Sequence, residues 1–195
     1  GLYVHVTTQQ VMDAMSPDAQ GLLAVVATEE VTGSEALTTA LEGARLVAVL
    51  AHAQDPGNAG TIIRAADAAG ADAVVLVRGS VDPTAPKVVR STAGSLFHLP
   101  VVTGVALDDA VTALHSAGLT VLAADGRGDL DLFEAESLLE APSAWLLGNE
   151  AHGLPSEALS RADAVVSIPI YGKAESLNVA AAAAVCLYAS ARAQA

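Results

Sequence analysis

Three loops, far apart in the chain, carry the residue types that could do chemistry. The first is Asp55-Pro-Gly-Asn-Ala-Gly-Thr-Ile-Ile-Arg64. Asp-Pro-Gly is a turn signal; Asn58 and Gly60 follow near the start of a helix, and Arg64 lies one to two turns inside it. A planar guanidinium there is either solvated or suited to a phosphate or ribose. The second loop is Trp145-Leu-Leu-Gly-Asn-Glu-Ala-His-Gly-Leu-Pro155. An apolar run ends in Gly148-Asn149-Glu150, and Gly153 follows. A carboxylate at the carboxyl end of a buried strand stands where open α/β sheets bind ligands; Asn149 and Glu150 could equally be turn residues, and His152 a surface histidine. The third loop, Ile168–Asn178 (IPIYGKAESLN), runs into the small-residue stretch Val179–Tyr188. The first N–H groups of a helix are unpaired and make a ready polar site, and Ser176 or Asn178 would each serve as its N-cap. A weaker fourth segment is Lys87–Phe97, where Lys87, Arg90 and Gly94 at i, i+3 and i+7 share a helix face, which would otherwise be a solvated one.

Several chemistries lack their spacing. The dinucleotide fingerprint G-x-G-x-x-G and the phosphate loop G-x-x-x-x-G-K-[ST] are absent, which argues against a nicotinamide oxidoreductase and a P-loop nucleotidase. Five scattered histidines and one cysteine offer no zinc spacing, so no metal is expected. Ser91, Ser95 and Ser176 lack the G-x-S-x-G elbow of many hydrolases.

Elements able to position these loops can be read from the apolar pattern. The runs Leu46–Ala51, Ala73–Val77, Leu99–Val102, Leu119–Ala123, Ala144–Leu147 and Ala164–Ile168 are short and continuous, as strands buried on both faces are. Between them lie helical segments over Ala59–Ala69, Pro86–Ala93, Leu107–Ala117, Ser156–Arg161 and Ser176–Ala193, with Gly70 and Gly118 where left-handed caps belong. The alternation predicts an α/β fold with a mostly parallel sheet flanked by helices. Residues 1–30 read differently, with a short helix over Thr7–Met15 capped by Thr7 or Thr8 and a strand over Gly21–Ala27. We read 1–30 as the end of a small α+β domain, 31–44 as a polar linker, and 45–195 as the complete α/β domain; the simpler alternative is an N-terminal extension of one domain.

The chain has 195 residues, 52% of them hydrophobic and 3% aromatic, so Ala, Val and Leu must build the core. Net charge is −13, which argues against nonspecific nucleic-acid binding by the whole surface, since phosphate neutralisation needs Lys and Arg. The distribution is uneven: residues 1–44 hold no Lys or Arg, whereas Arg64, Lys87, Arg90 and Lys173 fall in or near the loops. The lone Cys186 lies in an apolar stretch and is expected to be a buried core thiol. The longest apolar run, Val179–Ala189, is too short for a bilayer, and a cytoplasmic protein without a membrane partner is the expectation.

Taken together, the loops resemble the three signature motifs of the SpoU (TrmH-like) family of RNA ribose 2′-O-methyltransferases, within the SPOUT superfamily. The motifs stand here in order as DPGNAGTIIRAADAAGA, LLGNEAHGL and IPIYGKAESLNVAAAAAV, and the resemblance covers about Leu46–Ala193. It implies an α/β domain with a C-terminal deep trefoil knot, S-adenosylmethionine as cofactor, and a homodimer. It also implies an RNA substrate, ribosomal in preference to transfer RNA. By motif it assigns Arg64, Asn58, Glu150, Ser176 and Asn178 to the catalytic site. The cofactor cleft would use Leu122, Ala124, Gly148, Asn149, Glu150, Gly153, Ile168, Ile170, Gly172, Ser176 and Leu177. A basic rim of Arg64, Lys87, Arg90 and Lys173 would face the RNA. Ala151 stands where many members have glycine. Residues 1–30 resemble the end of the small substrate-binding domain that often precedes the catalytic one. A noncatalytic RNA- or cofactor-binding module of the same fold is the alternative.

Overall fold

In the computed structural model the described residues are 3–17, 19–26, 31–149 and 153–195. The chain divides into two compact units, Gly1–Glu30 and Val31–Ala195. The first contains helix α1 (Gln9–Met15), whose N-cap is Thr8: its Oγ1 accepts the Val11 N–H at 3.3 Å. The strand expected over Gly21–Ala27 does not form across 21–26, and Ala27 lies outside the described residues. Leu22 and Val25 are exposed, and a strand without a partner cannot satisfy its backbone.

The second unit runs α2 (Gly33–Ala40), β1 (Leu46–Leu50), α3 (Pro56–Ala68), β2 (Ala73–Leu76), α4 (Pro86–Thr92), a 3₁₀ turn at Ser95–Phe97, β3 (Val101–Val102) and α5 (Leu107–Ser116). It continues with β4 (Thr120–Ala124), β5 (Leu130–Asp131), α6 (Glu136–Leu139), β6 (Ser143–Leu147), α7 (Ser156–Arg161), β7 (Ala164–Ser167) and α8 (Val179–Ala193). The strands form one sheet in the order β3-β2-β1-β6-β4-β7-β5, and each neighbouring pair is parallel. The expected α/β class and parallel sheet are therefore present.

Burial explains why the strands read as unbroken apolar runs. Every residue of β1, β2 and β6 is buried, and alternate side chains enter two separate cores. Leu46, Ala48, Leu50, Trp145 and Leu147 pack with Ile62, Ile63, Val88 and Leu187 of α3, α4 and α8. Val47, Val49, Ala144 and Leu146 pack on the other face with Leu37, Leu114 and Ala158 of α2, α5 and α7. The sheet is thus a middle layer between two helical layers. Cys186 is buried in the first core, and burial pushes its thiol up to about 12. No helix among the described residues is long and apolar enough to cross a membrane.

Some boundaries differ from the sequence reading. The stretch 31–44, expected as a linker, contains α2, and its Leu37 and Leu41 are buried. Their i, i+4 spacing gives that Thr-rich helix an apolar face. The segment over Leu99–Val102 pairs only at Val101–Val102. Helix α4 stops at Thr92, because Ala93 turns left-handed at φ +50°. Gly94 is therefore off the helix and shares no face with Lys87 and Arg90. The last helix begins at Val179, leaving Ser176 in the preceding loop.

Candidate active site

Parallel strands place all their carboxyl ends on one edge. Because β1, β6, β4 and β7 are neighbours, the described residues leaving them lie side by side along that edge: 51–58, 148–149 with 153, 125–128 and 168–178. Chain order runs outward from β1 through β2 to β3, then resumes at β4 on the other side of β6. Such a reversal opens a crevice at the strands' carboxyl ends.

The first loop is built by a capping turn. Asp55 Oδ1 accepts the Asn58 N–H at 2.7 Å, with Pro56 in the first helical turn. Gly60 is required by packing: a Cβ there would lie 2.4 Å from Ser91 Cβ and 2.7 Å from the Val88 carbonyl oxygen. This close approach joins α3 to α4 and so holds Lys87 and Arg90, both exposed, beside the first loop. Arg64 is exposed on α3 and forms no ion pair among the described residues.

The second loop is a tight reversal. Asn149 and Gly153 exchange backbone hydrogen bonds of 3.1 and 2.8 Å, with Gly153 at φ +68°. A Cβ on Gly148 would lie 2.5 Å from the Gly153 carbonyl carbon and 2.6 Å from the Leu154 nitrogen, so only glycine fits. Asn149 Nδ2 donates to the His52 carbonyl at 2.9 Å, fastening this loop to the one after β1. Glu150, Ala151 and His152 lie outside the described residues.

The third loop meets the first through side chains. Asn178 is the N-cap of α8: its Oδ1 accepts the N–H groups of Ala180 and Ala181 at 2.9 and 3.3 Å. Its Nδ2 donates to Asn58 Oδ1 at 3.1 Å, across 120 residues of sequence. Ile170, Gly172, Lys173, Ser176 and Leu177 are exposed along the loop, and Ile168 is half-buried where it leaves β7. Leu122 is buried within β4, and Ala124, half-buried, ends that strand. The structure thus ties Asn58 to Asn178 directly and Asn149 to the first loop. Arg64, Lys87 and Arg90 stay on adjoining helices.

One segment of this edge escaped the sequence reading. Asp125 and Arg127, just beyond β4, form a two-point ion pair with both nitrogen–oxygen distances at 2.9 Å. The pairing holds the Asp125 carboxyl below the usual carboxylate range. A strand ending in Ala-Asp-Gly-Arg-Gly was the available signal, but its importance depends on β4 lying between β6 and β7. Among the described residues, no group of three or more His, Cys, Asp or Glu is placed to hold a metal.

A parallel sheet with its chain reversal beside glycine-shaped loops defines an α/β protein of the doubly wound kind, with a ligand cleft at its carboxyl edge. Comparison with known proteins narrows this class. The chain belongs to the SpoU rRNA Methylase family, whose model matches residues 45–188. Over 151 residues it is 42% identical to the 23S rRNA (guanosine(2553)-2′-O)-methyltransferase RlmP of Bacillus subtilis, covering 76% of this chain and 58% of that protein. The structure of the SpoU methyltransferase AviRb from Streptomyces viridochromogenes in complex with AdoMet matches with a TM-score of 0.68. Identity there is 39%, over 75% of this chain and 59% of the other. An AdoMet-bound rRNA methyltransferase from Sinorhizobium meliloti matches at TM-score 0.80 and 31% identity, over 95% of this chain and 70% of the other. The chain therefore spans somewhat more than half the length of the Bacillus and Streptomyces relatives.

Proposed function

We propose that residues 31–195 form the catalytic domain of an S-adenosylmethionine-dependent methyltransferase that modifies a ribose 2′-hydroxyl, of ribosomal in preference to transfer RNA. The observation that carries this reading is the Asn178–Asn58 bond, which joins the third motif to the first at the start of two helices. The similarity to proteins named as 23S rRNA 2′-O-methyltransferases supports the substrate.

The residues present fit the cofactor. Ile170 and Leu177 leave apolar surface exposed on the third loop, which suits an adenine. Ala124, Gly148, Asn149, Gly153, Ile168, Ile170, Gly172, Ser176 and Leu177 would hold it, together with Glu150, while Leu122, fully buried in the core, would only support that wall. When bound, it supplies a methyl group on a sulfonium.

The remaining work falls to the chain. A ribose hydroxyl is a weak nucleophile until its proton leaves, and methyl transfer demands alignment more than covalent help. A guanidinium is a donor with no acceptor site, so the role of Arg64 is to stabilise the developing alkoxide. Asn58 and Asn178 fix the helix starts around the ribose, and Ser176 orients it with Glu150. Lys87, Arg90 and Lys173 receive phosphates.

The reading also includes a knot. The chain leaves β7 beyond β4, yet α8 packs against α3, β1 and β6, so Ile168–Asn178 must cross the ends of the intervening strands. That crossing suits a deep trefoil knot. A homodimer through this domain, a cytoplasmic location and an RNA-binding role for residues 1–30 complete the proposal.

The test is transfer of a labelled methyl group to deproteinised ribosomal RNA, with the product identified by its resistance to alkaline cleavage. Arg64→Ala is expected to lower transfer about 10²–10³-fold while leaving cofactor affinity unchanged. Full transfer by that variant removes Arg64 from the chemistry. Failure of the unaltered protein to bind S-adenosylmethionine rejects the whole reading.

A further inference from the structure

The turn after β4 lies on the same edge as the motif loops, between two of them. Asp125 directly follows the strand with its side chain only 9% exposed, while Arg127, 74% exposed, folds back over it. Arg127 Nε donates to Asp125 Oδ1 and Nη2 to Oδ2, and the Arg127 backbone N–H also donates to Oδ1. Gly128 presses the turn against β7: a Cβ there would lie 2.6 Å from the Val165 carbonyl oxygen. On the other side, Asp125 Oδ2 lies 3.9 Å from where a Cβ on Gly153 would stand. The carboxylate is therefore wedged between β7 and the loop of Gly148 and Gly153.

An ion pair between residues two apart on a surface contributes little to stability. This one does something else: it fixes a buried carboxylate at the end of a central parallel strand. Oδ1 receives two N–H groups. Oδ2, the oxygen nearer Gly153, receives one and keeps a lone pair for another donor. In open parallel sheets ligands bind beyond the carboxyl ends of the strands, and in the dinucleotide-binding members an acidic side chain there accepts from a ribose hydroxyl; this chain lacks their glycine fingerprint but presents an acceptor carboxylate at the corresponding place. Arg127 keeps the carboxylate ionised, and so acceptor-only.

We propose that Asp125 accepts a hydrogen bond from a ribose hydroxyl of the bound S-adenosylmethionine, with Arg127 as the positioning residue that holds it. This rests on the reading of the cleft as a cofactor site. Asp125 is then a specificity residue for the cofactor's sugar, on a loop outside the three motifs.

Calorimetry with S-adenosylhomocysteine and its 2′-deoxy and 3′-deoxy counterparts tests the proposal. The unaltered protein is expected to prefer the full ribose over at least one deoxy compound by roughly 10–100-fold, the size of a charge-assisted hydrogen bond. Asp125→Ala should lose that preference and bind all three ligands with the weaker affinity. Arg127→Gln, altered at an exposed position, should narrow it. A merely structural role would weaken all three ligands alike and leave their ratios unchanged, which overturns the proposal. Wild-type ratios in Asp125→Ala overturn it as well. If the unaltered protein binds S-adenosylhomocysteine without any preference, only this inference fails; if it binds none of the ligands, the cofactor reading fails and takes this inference with it.

Discussion

Asn178 satisfies two needs with one carboxamide. Its oxygen caps α8, and its amide nitrogen reaches Asn58 at the start of α3. The two functions are separable by substitution. Asn178→Asp keeps a good cap but removes the donor, so thermal stability should hold while methyl transfer falls. Asn178→Ala removes both, and unfolding should become easier by about 1 kcal/mol. Equal stability loss in both variants would show that the link to Asn58 matters to the fold and not to the site. From sequence, Asn178 could be recognised as a possible cap. Its partner could not be, because 120 residues separate them and only the sheet order brings them together. Gly148 was legible as a motif residue, but the reason for glycine, backbone 2.5–2.6 Å from where a Cβ would stand, depends on how the chain returns at Gly153 and Leu154.

At the scale of elements, the hold on α8 is polar as well as apolar. Trp145 Nε1 donates to Ser190 Oγ at 2.9 Å, and Ser143 Oγ to the same atom at 3.4 Å, all three residues fully buried. One turn on, Gln194 Nε2 donates to the carbonyls of Leu139 and Ala141 at 3.2 and 2.8 Å. These bonds fasten the last helix to the central strand β6 and to the end of α6 and the turn that precede it. Ser190→Ala would strand the buried indole N–H, at a cost of about 1–3 kcal/mol. Trp145 is the chain's only tryptophan, so urea unfolding followed by its fluorescence reads the loss directly. An unchanged midpoint would mean that the indole finds another acceptor. The strands of this fold were readable because both faces are buried, which leaves continuous apolar runs. Helix α2 was not, since threonine and glycine masked the Leu37–Leu41 spacing. Strand β5 was missed because two residues carry no period.

For the molecule as a whole, its acidity and the proposed RNA substrate are reconciled by distribution. Arg64, Arg78 and Arg127, with Lys87, Arg90 and Lys173, sit on segments that follow or flank the carboxyl ends of the sheet. Arg45 instead precedes β1, and Arg161 ends α7, where it pairs with Asp108 at 2.8 Å. Binding to ribosomal RNA should therefore weaken with added salt, as phosphate contacts do. Lys173→Ala should reduce the slope of log affinity against log salt by about 0.7–0.9, whereas Arg45→Ala should leave it unchanged. Equal effects would spread the RNA over the whole surface. The order in which the chain is made adds a consequence. Asn58 leaves the ribosome 120 residues before Asn178, and the helix that Trp145 secures emerges after every strand of the sheet. A nascent chain can complete much of its sheet and still have no finished cleft, so a premature stop before residue 178 would yield a sheet without a site.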